Sequence, residues 1–531
     1  MADDELPEPQ LPAVEAPEPL ASEPQAAETA LPHPRPRSVG RAVTVISLRV
    51  VRGLVGAAAA ILVIGAVGFV PLPTIGIEPL ATTVQPEPAE LLVGCAGSLL
   101  QLGDDAGTDA NQLSSVGIPQ LTVAAEPGRA AESTLAESDA GTGGTARAPA
   151  VLTLPASADA RLAAAQAQRA TDDDRLRGLA ASGCVEPRSS SWLVGGATTV
   201  GRTTLLLLAN PTAVTAQVTL QLWGEEGPVL APGLNGIAVP AGTQRVIPLS
   251  GFAPDLASPV VHVEARGGLV AASLQTSVTR VLDAGGVDVV GDTAAPSREL
   301  VIPGVRIFDQ EGVSSSLGIA DYADLDAIAR IGNPGTEDAE VEVSLTPTLA
   351  GGVATSFDLE VHAGTVTDIA LSSALELGQG PLPDGSYTVT VRADTPVVAG
   401  VRVSTIPLPG VDETGQPVAA AADLAWLAAA PPLTGDALLA VAAAPEPVLV
   451  VVNPDNATRT VRLEPVDGGD TITLELPAAG SAGLTLASDT AYRLLGAEGV
   501  HAAISFAAPG QVAGYTFRSP RAADTPLVVR P

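Results

Sequence analysis

Three stretches of the chain share one pattern of apolar and polar positions. They read LLLLANPTAVTAQVTLQL from Leu205, AIARIGNPGTEDAEVEVSL from Ala327 and VLVVVNPDNATRTVRLEP from Val448. In each, an apolar run stops at Asn-Pro, a few polar residues follow, and apolar and polar side chains then alternate. Asn210 and Asn333 lie 123 residues apart, and Asn333 and Asn453 lie 120 apart. Each copy continues with a small-residue turn and a further strand (VPAGTQRVIPL, VHAGTVTDIAL, LPAAGSAGLTL), then two more strands around a polar turn. Alternation with period two gives a strand one buried and one wet face. Proline cannot donate to a ladder, and asparagine bonds its own downstream backbone, so Asn210-Pro211, Asn333-Pro334 and Asn453-Pro454 are expected as strand-ending corners. A period this long is a whole domain rather than a solenoid unit. The chain is therefore expected to be mainly β, with three tandem antiparallel β-sandwich (Ig-like) repeats over 185–295, 296–419 and 420–531.

A different pattern precedes them. Residues 53–70, GLVGAAAAILVIGAVGFV, carry no charge, and the apolar character reaches back to Ala42 with only Arg49 and Arg52 interrupting it. A run of this length crosses a bilayer core of ~30 Å as a helix. Arg35, Arg37, Arg41, Arg49 and Arg52 precede it, and the next basic residue is Arg129. The positive-inside rule then predicts a single-pass plasma-membrane protein anchored through 42–70, with 71–531 extracytoplasmic. A cleaved signal peptide and a buried helix are the alternatives. The acidic, proline-rich tail 1–41 is expected to be a disordered cytoplasmic segment.

Between span and repeats, 71–184 reads as a linker and a disulfide-closed segment. Cys95 and Cys184 are the only cysteines. An even pair outside the membrane is expected as a disulfide. It closes a loop of 89 residues, and loop-closure entropy for that size is about 4–5 kcal/mol on the chain-entropy model. LVGC ending at Cys95 resembles a lipidation box but stands too far beyond the apolar run. Inside the loop, LLQLGDD and PQLTVAAEP read as strands and AESDAGTGGTARAPA as a flexible insertion. ADARLAAAQAQRATDDDRLRGLAASG, residues 158–183, reads as one helix on composition and spread of Leu and Ala. The Asp172–Asp174 run matches no calcium-loop spacing and reads as a solvated face.

Charge narrows the partners. There are 27 basic residues, all arginine, and 59 acidic ones, for a net charge of −32. Such a surplus opposes polyanions, so nucleic acid is not expected as a partner. Aromatic residues are 2 % of the chain, so cores must be built from small and β-branched side chains.

One string imitates a nucleotide site. Gly196, four residues, Gly201, Arg202 and Thr203 differ by one letter from the phosphate-loop pattern. A phosphate loop needs a following helix whose amino end faces the ligand. Here TTLLLLANP follows, which reads as a strand, and the lysine is absent. The segment is expected to be strand, glycine turn and strand, with no nucleotide.

The order Cys95, Cys184, SWLVGGATTVGRTTLLLLANP, VPAGTQRVIPLSG and RELVIPG resembles an uncharacterised domain-of-unknown-function family of large actinobacterial cell-envelope proteins. That resemblance covers roughly residues 90–531. It implies a membrane-anchored extracytoplasmic protein and supplies no reaction or catalytic residues. The third repeat departs from it, with LAWLAAAPPLTG in place of the glycine-rich block.

No constellation of catalytic residues stands out. His262, His362 and His501 fall at different places in the repeats, so no shared metal site is implied, and each is expected at a strand edge. DYADLDA (321–327) and DAGGVDVVGD (283–292) gather carboxylates in loops that can be solvated turns or weak calcium sites. Ser481 lies in a turn rather than a nucleophile elbow. Trp192 and Trp426 are expected to open their repeats and to serve core or interdomain packing, and glycan binding that depends on Trp223 or on the loop carboxylates would mark the glycan reading. Asn456-Ala457-Thr458 is a glycosylation sequon. The expectation is a non-enzymatic envelope scaffold or interaction protein with no cofactor, partnered by an envelope protein or glycan. The alternative is a glycan-binding or glycan-handling accessory component of envelope polymer assembly.

Overall fold

Antiparallel strands account for most of the described chain. The computed structural model describes residues 89–518, apart from 104–111, 138–139, 142–146, 158, 173–174, 281–282, 349–353, 373–381, 412–416 and 419, together with the short strands Thr82–Val84 and Leu527–Val529. The tail 1–41 and the apolar segment 42–70 lie outside the described residues. Among those residues no helix is long and apolar enough to cross a membrane.

The segment before the repeats includes the strands β1 (Gln120–Glu126), β2 (Arg161–Asp172) and β3 (Leu176–Gly183). They form one antiparallel sheet with β2 in the middle. The helix expected over 158–183 is thus a β-hairpin. Its alanines favour a helix intrinsically, but tertiary packing decides otherwise. Small side chains let the sheet lie close against a neighbouring core, while the alternating Gln166 and Gln168 bond the backbone of Gly97, Leu99 and Val116. Cys95 and Cys184 are joined, which ties the end of this hairpin to the start of the segment.

The first repeat contains β4 (Ser190–Val194), β5 (Arg202–Asn210), β6 (Ala216–Gly224), β7 (Ile237–Val239), β8 (Thr243–Pro248), β9 (Val260–Gly267), β10 (Ala271–Arg280) and β11 (Asp283–Val290). They make two sheets, ordered β4-β9-β6-β7 and β11-β10-β5-β8. The second repeat contains β12 (Ser297–Ile307), β13 (Ile328–Gly332), β14 (Ala339–Pro347), β15 (Thr355–Val361), β16 (Val366–Ala370), β17 (Gly385–Thr405) and β18 (Asp423–Ala428). Here one long strand, β17, serves both sheets, β12-β17-β14-β15 and β18-β17-β13-β16. The third contains β19 (Ala437–Val441), β20 (Val448–Asn453), β21 (Arg459–Pro465), β22 (Ile472–Leu476), β23 (Gly480–Thr485), β24 (Thr490–Leu495), β25 (His501–Ala508) and β26 (Gln511–Thr516). Its sheets run β19-β24-β21-β22 and β26-β25-β20-β23. One strand order therefore recurs three times.

Two boundaries move from the sequence reading. β18 pairs with β17 from Gly400↔Ala428 to Thr405↔Asp423, so it completes the second repeat, and Trp426 closes that repeat instead of opening the third. Leu527–Val529 leaves the third repeat to pair with Thr82–Val84. The α-helix of the described residues, α1 (Gln310–Ser316), lies in the connection from β12 to β13.

The cores are interlocked. The first repeat's buried cluster takes in Leu424, Trp426 and Ala428 of β18. The second repeat's cluster takes in Val512 of β26. The third repeat's takes in Leu179 and Ala181 of β3 with Ala163, Ala165 and Ala167 of β2. Leu176 and Ala180 of β3 pack with Val287 and Val289 of β11. Each unit is completed by the last strand of the next, and the disulfide-tied hairpin closes the circuit back to the first.

Candidate functional site

The four inner strands β3, β11, β18 and β26 pack against one another in turn. Asp423 of β18 is fully buried there. Its carboxylate accepts the backbone N–H groups of Leu179 (2.9 Å), Val512 (3.1 Å) and Val287 (3.3 Å), one from each other inner strand. A side chain at Gly178 would place its Cβ 2.1 Å from Asp423 Oδ1, so β3 needs glycine there to approach. Burial pushes the Asp423 carboxyl well above the usual range, against its backbone donors. Asp288 of β11, also fully buried, accepts the Trp426 N–H at 2.7 Å and is pushed up by burial to about 7. Gly183, Val290, Trp426 and Tyr515, one from each of these strands, line a cavity of about 60 Å³, room for a few waters only.

The three Asn-Pro corners are built alike. Asn210, Asn333 and Asn453 are buried. The side-chain amide of Asn210 donates to Val214 and Val239 carbonyls, that of Asn333 to Glu337 and Val361, and that of Asn453 to Ala457 and Pro477. Each Oδ1 accepts the N–H two residues on: Thr212, Gly335 and Asp455. Each amide thus ties the corner to a carbonyl near the end of a later strand.

The glycine string at 196–203 is a turn between β4 and β5, and the residues after Gly201 form β5 rather than a helix. Its polar groups bind the second repeat. Arg330 of β13, 1 % exposed, donates to the Gly196 carbonyl at 2.7 Å and pairs Asp368 through both carboxylate oxygens at 2.7 and 2.8 Å. Its guanidinium lies 4.5 Å from the Trp426 ring centroid. Burial raises the Asp368 carboxyl, and Arg330 more than offsets this, leaving it below the usual range. Gly196 has φ +78°, and a Cβ there would lie 2.3 Å from Thr204 Oγ1, so no larger residue fits. Arg202, standing where a phosphate loop has lysine, pairs Asp324 at 2.5 Å, and Arg280 pairs the same carboxylate at 3.0 Å. Asp324 belongs to the DYADLDA string. Burial raises its carboxyl, and Arg280, Arg202 and Arg402 together outweigh burial, holding it low.

The other carboxylate strings also turn to protein partners. Asp326 accepts the Ser372 hydroxyl, and Asp292 pairs Arg518 at 3.3 Å. Asp338, Glu360 and His362, all exposed, bring ligand-type atoms within 4.8 Å of one another. His362 follows β15 and His501 opens β25. His262 departs from the strand-edge expectation: it sits inside β9, the strand between β4 and β6, and is 8 % exposed. Exposed Asn456 lies just past the third corner.

His262 organises an outward sheet face. It lies opposite Trp192 on β4 and opposite Gln221 on β6. The Trp192 indole stacks on the imidazole at 4.2 Å and on Trp223 at 5.3 Å. Nε2 lies 2.9 Å from Ser190 Oγ, and Nδ1 lies 3.0 Å from Gln221 Oε1. Burial lowers the imidazole's proton affinity, with Glu264 opposing, so the ring is neutral at pH 7. It donates from Nδ1 to Gln221 and accepts the Ser190 hydroxyl at Nε2. The relay has the connectivity of a serine–histidine–acid triad, but the third member is a neutral amide, which supplies no charge to stabilise an imidazolium. Sequence spacing gave no hint of this grouping. Arg330 did leave a signal, because it occupies the place held by Leu207 and Val450 in the other apolar runs.

A family model described as "Family of unknown function (DUF5719)" matches residues 139–487. The chain belongs to this family. The match starts within the disulfide-closed segment and ends in the third repeat, so the DUF5719 region takes in β2, β3 and two of the three other inner strands. No curated protein matches the chain. A solved structure titled "Crystal Structure of Thermotoga maritima 1070" is similar over 25 % of this chain and 93 % of its own, at 15 % identity and a TM-score of 0.17. A likeness that low carries no argument here.

Proposed function

We propose that this DUF5719 protein is a non-enzymatic scaffold or interaction protein of the cell envelope. In this reading residues 42–70 anchor it in the plasma membrane, the tail 1–41 is cytoplasmic, and three tandem β-sandwich repeats of the Ig-like class stand outside. The observation that carries it is the circular sharing of cores, in which the buried polar side chains Arg330 and Asp423 bond groups of neighbouring units. Such use of buried polar groups favours a fixed shape over a reaction centre. The arginine-flanked apolar run and the Cys95–Cys184 bond support the orientation.

The test is protease added to intact cells, followed by affinity capture from solubilised envelope. The repeats should be cut while the tail survives, and an envelope component should co-purify. Repeats protected until the cells are lysed would overturn the reading. The stacked tryptophans beside a neutral amide favour a second reading, a glycan-handling accessory component.

A further inference from the structure

The outward face of the β4-β9-β6 sheet is only partly covered. Along β6, Val218, Leu220 and Leu222 enter the core, while Gln217, Thr219, Gln221 and Trp223 point away from it. At one end Val366 and Val398 of the second repeat pack onto Val194, Val260 and both tryptophans. The rest stays open. Along the free edge of β6, Pro228 and Val229 pair with Trp223 and Leu222, and the segment on to Asn235 bounds an open groove of about 550 Å³ whose lining joins Thr219, Gln221 and Trp223 to the apolar Leu220, Leu222 and Leu234. That volume suits a small ligand. Leu230 stands on the rim, 95 % exposed.

Three features of the lining define the ligand. It contains no ionisable side chain, in a chain of net charge −32, so nothing in it attracts an ion of either sign. It offers an indole, a flat apolar surface with a polar edge. It also offers amide and hydroxyl groups from Gln221, Asn235 and Thr219. The Ser190–His262–Gln221 relay fixes the direction of one of them: Gln221 Oε1 accepts from the imidazole, so the amide NH2 points away from His262 and is available to donate. A flat molecule with one C–H face and a ring of hydroxyls matches all three.

We infer that this groove binds a neutral carbohydrate, with a pyranose face laid on Trp223 and a hydroxyl accepting from the Gln221 amide. This rests on the extracytoplasmic reading above and gives the scaffold a ligand class. Ser190 and His262 are positioning residues for Gln221.

The test applies the full-length protein in detergent to an array of neutral, uronic and sulfated oligosaccharides, alongside a panel of neutral peptides. Neutral oligosaccharides should be retained and should change the tryptophan emission. Trp223→Ala and Gln221→Leu should each weaken binding at least tenfold. His262→Phe, which keeps the stack but drops the relay, should weaken it less, with an unchanged thermal midpoint. Asp436→Ala, outside the groove, should bind as wild type. Retention of charged sugars or peptides alone, no retention at all, or neutral-sugar binding indifferent to both groove variants would overturn the inference. Protease shaving of cells reads the membrane topology separately, so accessible repeats without sugar binding would sink this site and leave the scaffold reading standing.

Discussion

The Arg330 guanidinium is stacked 4.5 Å from the Trp426 ring centroid while both its edges are bonded, one to Asp368 and one to the Gly196 carbonyl. One side chain thereby fastens the first repeat's glycine turn to the strand that closes the second. Removing it leaves Asp368 without its cation. Arg330→Met is predicted to destabilise by about 3 kcal/mol, the lower end for breaking a buried pair, since Asp368 keeps 26 % of its side chain in solvent. Arg330→Lys should recover only part of this, because an ammonium cannot reproduce the two-pronged pairing. Denaturant midpoints check both, and a loss below about 1 kcal/mol for Arg330→Met would make the contact incidental.

The corners depend on an amide and not merely on a polar residue. Asn453→Asp keeps the shape and the acceptor for Asp455 N–H, but turns two donated hydrogen bonds into repulsions toward the Ala457 and Pro477 carbonyls. A loss of about 2 kcal/mol or more at pH 7 is expected, with the same sign at Asn210 and Asn333. Thermal melts of the three variants check this. Indifference at any one would show that corner to be held by its proline and neighbours alone.

Asp288 makes the fold lose stability as pH rises from acid to neutral. Its folded pKa of about 7 lies above the unfolded value near 3.8, so the folded state holds a proton that the unfolded chain releases. The stability from the neutral carboxyl is full below the unfolded value and is lost as pH rises through about 7. Asp423, also raised, adds a fall of the same sign. Asp288→Asn should therefore flatten the decline in melting temperature between pH 5 and 8. An unchanged slope would show that Asp288 ionises at its ordinary pKa.

The Cys95–Cys184 bond spans 89 residues, for which loop closure contributes about 4–5 kcal/mol on the chain-entropy model. Replacing both cysteines by serine should lower the melting temperature. It should also open the hairpin of β2 and β3 to trypsin at Arg161 and Arg177 before the repeats are cut. Simultaneous cleavage everywhere would mean the hairpin does not open as a separate element.

The strands and corners were legible because period-two alternation and Asn-Pro are local signals. The β2–β3 hairpin was not, since an alanine-rich run satisfies a helix equally well until another core arrives to pack on it. Arg330 was half legible as the one charge inside the three apolar runs that end at Asn-Pro. Asp423 was invisible: its donors lie 244, 136 and 89 residues away in sequence, and only the completed circuit joins them. The Ser190–His262–Gln221 relay was missed because it runs across three adjacent strands, whose register the sequence does not state.

The circuit of shared cores is tested most directly by hydrogen exchange on Asp423→Ala and wild type. If the four inner strands stand or fall together, peptides covering 176–183, 283–290 and 511–516 should all lose protection in the variant. Loss confined to 423–428, with the other three strands as protected as in wild type, would contradict the circuit.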